Sequence, residues 1–239
     1  MSSKFSIAIA GNMGVGKSTL TRLLAGELAW TPFYEAVDDN PYLADFYKDM
    51  PQWGFHSQLF FLSRRLRYHR QIISHPNDVV QDRSVYEDAE VFARNLHQRG
   101  NISRRDYQLY RDLYEEFVQI VPPPNLIVYL KASVPTLIER IHRRGRDFER
   151  DISPLYLQQL NELYNVWIED FTLCPILTIE TDSIDFVRFP AHFQSIKARI
   201  MEKMGLLPAS SPNGNGTNGQ HAKTNGSIHT KIVLAGNGH

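Results

Sequence analysis

Apolar residues fall in two rhythms along this chain. Five short runs read as strands bounded by turn residues: Lys4-Phe-Ser-Ile-Ala-Ile-Ala, Pro32-Phe-Tyr-Glu-Ala, Asp78-Val-Val-Gln-Asp, Asn125-Leu-Ile-Val-Tyr-Leu and Pro175-Ile-Leu-Thr-Ile-Glu. Longer stretches with helical spacing separate them. One carries Leu20, Leu23, Leu24 and Leu28; another, from about Gln52 to Ser74, carries Phe55, Leu59, Leu62 and Leu66 as its apolar stripe. Strands alternating with helices predict an α/β fold, a five-stranded parallel sheet with helices on both faces, because each parallel connection needs a right-handed crossover. From Leu207 the pattern stops. The sequence there is Pro, Ser, Asn, Gly and Thr with no acidic residue, so 1–206 is expected to be the folded domain and 207–239 a disordered tail. Within the tail, Lys231-Ile-Val-Leu-Ala-Gly is the one apolar island.

Composition narrows the classes. The 239 residues are 42% apolar, enough for one good-sized core, and 26 basic residues balance 26 acidic ones. That balance gives no general electrostatic case for a nucleic-acid or membrane partner. Cys174 is the only cysteine, which removes intramolecular disulfides and multi-cysteine zinc patterns and points to a reducing compartment. No apolar run approaches the ~20 residues of a membrane helix, and the start lacks a signal-peptide pattern, so a cytoplasmic protein is expected.

The strongest chemical signal is Gly11-Asn-Met-Gly-Val-Gly-Lys-Ser-Thr19, a G-x-x-x-x-G-K-[ST] sequence between the first strand and the first helix. Gly11, Gly14 and Gly16 let the backbone curl so that the N–H groups of Asn12, Met13, Val15 and their neighbours face one anion, and the helix N-terminus adds positive partial charge. Lys17 is expected at the β/γ-phosphates of ATP or GTP, Ser18 at Mg²⁺, and Thr19 near the α-phosphate. A dinucleotide fingerprint and a GTPase D-x-x-G are both missing from their places.

Reaction type must come from elsewhere. Ligands in open α/β sheets sit beyond the carboxyl ends of the strands. Glu35 lies at the end of the second run and Asp82-Arg83 at the end of the third. Glu35 is then placed as general base toward an acceptor hydroxyl, with a surface carboxylate as the alternative. Arg83 could clamp the acceptor oxygen and the transferring phosphoryl group while Asp82 assists Mg²⁺; a structural Asp-Arg pair is the alternative. Asp38 and Asp39 read as a solvated, helix-capping pair. Arg140, Arg143, Arg144, Arg146 and Arg150 form a basic run following a helix that begins near Val134; a lid over phosphates fits it better than a solvated helix end, with Gly145 as its joint.

The combination of Gly11–Thr19, Tyr34-Glu-Ala-Val-Asp-Asp-Asn-Pro-Tyr42, Asp82-Arg-Ser-Val-Tyr-Glu-Asp88 and Arg140-Ile-His-Arg-Arg-Gly-Arg146 resembles the deoxyribonucleoside kinase family over roughly residues 4–204. It is most similar to the bacterial deoxyadenosine/deoxyguanosine kinases. The resemblance implies the thymidylate kinase-like P-loop fold, a homodimer, and phosphorylation by ATP of the 5′-hydroxyl of a small-molecule deoxynucleoside, purine favoured. It implies Glu35 as the catalytic base, Arg83 as the clamp on the 5′-oxygen, and Asp82 as the acid near the metal. Gln58, Arg65 and Asp88 fall at base-reading positions, Tyr47 and Glu149 at positions holding the sugar 3′-hydroxyl, and Arg140, Arg144 and Arg146 in the lid. Asp185 and Phe186, after the last strand, fall where the adenine of ATP packs. One departure is Ala36, where these kinases usually have proline, which loosens the backbone after the base. Two rivals stay open: a nucleoside monophosphate kinase, which needs an acceptor-phosphate site where Glu35 stands, and a nucleotide-dependent interaction module.

Overall fold

A computed structural model describes residues 4–35, 37 and 39–206. Ala36, Asp38, the tail 207–239 and its apolar island lie outside the described residues. In chain order the elements are β1 (Ser6–Ala10), α1 (Lys17–Leu28), β2 (Thr31–Phe33), α2 (Leu43–Lys48), α3 (Met50–Ser74) and β3 (Val79–Asp82). Next come α4 (Val85–Glu87), a π-helical segment (Asp88–Ala93), α5 (Arg94–Gln98), α6 (Arg104–Ile120) and β4 (Leu126–Lys131). The chain continues through α7 (Val134–Arg144), a 3₁₀ turn (Asp147–Glu149), α8 (Pro154–Asp170), β5 (Ile176–Glu180) and α9 (Pro190–Lys203).

The five apolar runs become one parallel sheet in the order β2-β3-β1-β4-β5. β1 lies between β3 (Ile9 opposite Asp82) and β4 (Ile9 opposite Val128). Ile7, Ala8, Ile9, Val79, Val80, Ile127, Val128 and Leu130 are fully buried, as expected where helices cover both faces. The chain leaves β1 for β2 on one side and β3 for β4 on the other, so the order reverses between β1 and β3. A crevice opens there above the carboxyl ends. No described helix is long and apolar enough to cross a membrane.

Two local expectations are corrected. The second strand ends at Phe33, since β2 is a short edge strand paired only to β3 from Thr31 opposite Val79 to Phe33 opposite Gln81. Glu35 therefore stands in the loop beyond the strand end. On α3 the buried line runs through Gly54, Gln58, Leu62, Arg65, His69 and Ile72, whereas Phe55, Leu59 and Leu66 are only half-buried. The core-facing side of this helix is thus largely polar, and periodicity of apolar residues could not find it. Asp39 is exposed, and it is Asn40 that orders the turn: its Oδ1 accepts from Tyr42 N–H at 3.0 Å and its Nδ2 donates to Ser57 Oγ at 3.1 Å.

Candidate active site

The crevice holds a cavity of about 800 Å³ whose walls come from the loop after β1, the loop after β2, α2, α3, the segment after β3, the arginine-rich end of α7 and the turn after β5. Its phosphate-facing wall is local. Gly11 sits at φ 138°, and a Cβ there would lie 2.4 Å from the Leu130 carbonyl oxygen of β4. Gly16 sits at φ 108°, with the Phe186 ring 2.8 Å from the place a Cβ would take. The loop therefore packs against the sheet on one side and against Phe186 on the other, which only glycine allows. Met13, Gly14, Val15, Gly16, Lys17, Ser18 and Thr19 line the cavity; Gly11 and Asn12 do not. Asn12 turns inward, donating to the Leu157 carbonyl at 2.9 Å and to Asn161 Oδ1 at 2.8 Å on α8. It braces the loop from behind.

Lys17 is buried, with its Nζ donating to the Asn12 carbonyl at 3.0 Å. Burial, and next the Arg83 charge, lower its pKa to about 8 against the pull of Asp82, Glu35 and Glu87. The Ser18 hydroxyl donates to Asp82 Oδ2, while Asp82 Oδ1 is buried without a protein hydrogen-bond partner. A hydroxyl and a carboxylate with a spare hard oxygen suit Mg²⁺, which is held by one or two protein oxygens together with substrate phosphates and water.

The opposite wall is assembled from distant pieces. Arg83 follows β3 at φ 71°, a left-handed conformation costing a non-glycine residue about 1–3 kcal/mol. Its N–H extends the ladder to the Ile9 carbonyl at 2.9 Å. Its side chain is buried: the guanidinium lies 4.3 Å over the Phe92 ring, and Nη1 donates to Tyr164 Oη at 2.9 Å. Nε stands 2.7 Å from Glu35 Oε1 as a close ion pair whose N–H is not aimed along the contact. Arg65 Nη2 approaches the same oxygen at 3.3 Å. Burial alone would raise the Glu35 pKa, but Arg83, Arg65 and Lys17 together outweigh it and hold the carboxyl below the usual glutamate range. Glu35 is thus an ionised acceptor facing the cavity.

Gln58 and Asp88 line the cavity, but Arg65 stands behind its wall, and this corrects the expectation that Arg65 looks into the same cleft as Gln58. Arg65 donates through Nε to Asp88 Oδ2 at 2.8 Å and through Nη1 to the Asp82 carbonyl at 2.9 Å. It is the strut that ties the Asp88 carboxylate and the Asp82 main chain to Glu35. The π-helical widening at Asp88–Ala93 places Asp88 and Phe92 on the cavity side of one element. Tyr47 stacks on Phe148 at 5.5 Å, and its hydroxyl donates to Met13 Sδ at 3.3 Å. Glu149 is buried between two arginines, with Arg144 Nη2 on Oε2 and Arg146 Nη1 3.4 Å from Oε1. The groups read separately from sequence as lid and sugar reader are therefore one cluster.

Arg140 is anchored. It donates to the carbonyls of Val15 at 3.2 Å, Thr181 at 2.6 Å and Ile184 at 3.2 Å, tying α7 to the phosphate loop and to the turn after β5. On that turn Asp185 Oδ1 accepts from the N–H groups of Val187 at 3.0 Å and Arg188 at 2.9 Å. Phe186 is buried under Gly16 and still borders the cavity.

Sequence reasoning missed two groups. Leu43, Phe46, Phe61 and Phe92 supply an apolar floor, and the aromatic density of residues 42–61 was a usable signal. Glu87, fully buried beside Arg83, was also legible as a capping box: Ser84 N–H donates to Glu87 Oε1 at 2.8 Å.

Known proteins resemble this chain in sequence and in fold. The family model described as deoxynucleoside kinase matches residues 7–204. Among curated proteins, the deoxyadenosine/deoxycytidine kinase of Bacillus subtilis is 37% identical, the match covering 81% of this chain and 90% of that one. The deoxyadenosine kinase of Dictyostelium discoideum is 38% identical, over 86% and 83% of the two chains. The deoxyguanosine kinase of B. subtilis is 34% identical, over 82% and 96%. Among solved structures, a deoxyadenosine kinase from M. mycoides with products dCMP and a flexible dCDP bound superposes with a TM-score of 0.74 at 28% identity, covering 83% of this chain and all of that one. Fold and sequence agree, and the chain belongs to the deoxynucleoside kinase family.

Proposed function

We propose that this enzyme transfers the terminal phosphoryl group of ATP to the 5′-hydroxyl of a deoxynucleoside, purine favoured. The observation that carries the reading is Glu35, an ionised carboxylate held 2.7 Å from Arg83 in the cavity that Lys17 also lines. Such a carboxylate accepts a hydrogen bond from an alcohol and orients its oxygen for in-line attack. It would repel an acceptor that already carries phosphate, which speaks against the monophosphate kinase. Because Glu35 is a weak base, it takes the proton as the loose transition state develops rather than deprotonating the alcohol beforehand. Arg83, beside the same oxygen, offers charge to the attacking oxygen and the moving phosphoryl group.

Lys17, with Arg144 and Arg146 once drawn off Glu149, would neutralise phosphate oxygens. Ser18 and Asp82 would hold Mg²⁺, which supplies charge neutralisation to the phosphates when bound. The base would lie on the floor of Phe46, Phe61 and Phe92 with its edge toward Gln58 and Asp88, and Tyr47 and Glu149 would take the 3′-hydroxyl. Asp185 and Phe186 support adenine binding by fixing the turn beside the phosphate loop. Residues 1–206 are proposed as the catalytic domain, cytoplasmic and homodimeric.

Measuring ADP release with deoxyadenosine, deoxyguanosine, deoxycytidine, thymidine and dTMP tests the reading. Turnover is expected with the purine deoxynucleosides first; the B. subtilis relative named for both deoxyadenosine and deoxycytidine makes deoxycytidine the informative competitor. Turnover with dTMP alone would select the monophosphate kinase, and none with any acceptor would select the interaction module.

A further inference from the structure

Behind Arg83, and off the cavity wall, Glu87 of α4 and Tyr164 of α8 form a buried group that no step above uses. Glu87 Oε1 accepts from Ser84 N–H at 2.8 Å, and Oε2 accepts from Gly11 N–H at 3.2 Å. Tyr164 Oη lies 2.6 Å from Glu87 Oε2 and 2.8 Å from the Gly11 carbonyl oxygen, and it accepts from Arg83 Nη1 at 2.9 Å.

Counting hydrogens decides how this group is protonated. Both oxygen–oxygen separations are hydrogen-bond lengths, and each needs a hydrogen between its atoms. The phenol supplies one. With Glu87 ionised, one of the two contacts is left as facing lone pairs in a fully buried place, where an unmatched oxygen is expensive. A hydrogen on Glu87 Oε2 satisfies everything: Glu87 donates to Tyr164, Tyr164 donates to Gly11, and Arg83 donates to the remaining lone pair of Tyr164.

Arg83 leans to the other carboxylate: its Nη1 donates to Glu87 Oε2 only at a long 3.4 Å, while its Nε closes to 2.7 Å on Glu35. Moreover, Lys17, Arg65 and Arg83 already face Glu35, Asp82 and Asp88; a charge on Glu87 would put a fourth carboxylate beside three cations in a site meant for anions.

We propose that Glu87 is held as a neutral carboxylic acid and that it and Tyr164 are positioning residues, propping Arg83 toward Glu35 and tying it to the first glycine of the phosphate loop. The groups facing Glu87 are Arg83, Lys17, Tyr164 and Asp88. Burial pushes its carboxyl above the ordinary range, Asp88 pushes the same way, and Arg83, Lys17 and the Tyr164 hydrogen bond pull less strongly downward. A neutral neighbour leaves the charge of Arg83 undivided for Glu35 and the acceptor oxygen. An ionised one would draw Arg83 back.

Infrared difference spectroscopy of the full chain at neutral pH, wild type minus Glu87→Gln, reads the hydrogen directly. A protonated-carboxyl carbonyl band present in the wild type and lost in the variant is expected; no such band overturns the proposal. Kinetics test the positioning. Glu87→Gln keeps the donor toward Tyr164 but loses the acceptor for Gly11, and is expected within about fivefold of wild-type kcat. Glu87→Ala should lower kcat about 10- to 100-fold and Tyr164→Phe about tenfold, with the nucleoside KM little changed. Equal losses for Gln and Ala in folded protein, or losses confined to KM, overturn it. If Glu87→Ala does not fold, the comparison of Glu87→Gln with Tyr164→Phe stands in its place, and the Gln variant being the weaker of the two overturns it. Only the kinetic arm rests on the proposed function; the spectroscopic arm reports on Glu87 whatever the reaction.

Discussion

Along the phosphate-facing wall, seven consecutive residues, Met13–Thr19, from one loop and the first turn of α1 supply most of the surface, and glycines at Gly11 and Gly16 fix its curve by φ values of 138° and 108°. The acceptor-facing wall takes Glu35 from the loop after β2, Arg83 from the end of β3, Gln58 from α3 and Asp88 from the π-helical segment, with Arg65 of α3 and Tyr164 of α8 bracing it from behind. The first is a local backbone shape, which a short motif specifies. The second is a set of buried charges that hold one another: Arg83 and Arg65 share Glu35, and Arg65 also holds Asp88. Removing one member leaves the others buried and unpaired, so the acceptor wall should be the more sensitive to single substitutions.

The largest effect is expected for Glu35→Gln, which keeps shape and loses the charge. kcat should fall about 10²-fold or more while ATP affinity, measured by calorimetry, stays near wild type. Near-normal turnover would make Glu35 structural and erase the contrast between the walls. Next comes Arg140→Ala, which frees the turn carrying Asp185 and Phe186 from the phosphate loop. Its effect should fall on the donor side, with ATP affinity about tenfold weaker and nucleoside KM little changed; unaltered ATP binding would mean that these carbonyl contacts do not shape the donor site.

A pH profile separates the walls with a smaller effect. Glu35 has a lowered pKa in the empty enzyme, so the acid limb of kcat/KM should lie below the usual glutamate range, with activity lost only as pH falls through that depressed value. Lys17 has its pKa lowered to about 8, so the empty enzyme loses this cation as pH rises past that value, and ATP affinity should weaken several-fold between about pH 7 and 9. Flat ATP affinity across that range would show Lys17 still protonated. The smallest effect, near zero on melting temperature and turnover alike, is expected for deleting 207–239. A drop in either would place part of the tail in the working domain.

The phosphate-facing loop was legible in the sequence as a backbone shape, with Met13–Thr19 on the cavity and Gly11 and Asn12 behind it, because the motif encodes backbone geometry and little else. On the acceptor wall, the residue types were legible and their partnerships were not. Arg65 was expected to face the cleft; tertiary packing turned it into a strut behind Asp88, since a buried guanidinium must find acceptors wherever they lie. Glu149 and the lid arginines were given separate roles and are paired. The stripe on α3 was misplaced by about one position because its buried face is built of Gln58, Arg65 and His69, which carry no hydrophobic signal.

Strand positions, the parallel sheet and the phosphate loop follow from the chain alone, because alternation of apolar runs and glycine spacing act over a few residues at a time. Which carboxylate keeps its charge, which arginine faces the cavity and which stands behind it were settled only by folding. Those outcomes depend on distances between side chains far apart in the chain and on the exclusion of water from between them, and no stretch of sequence contains either quantity.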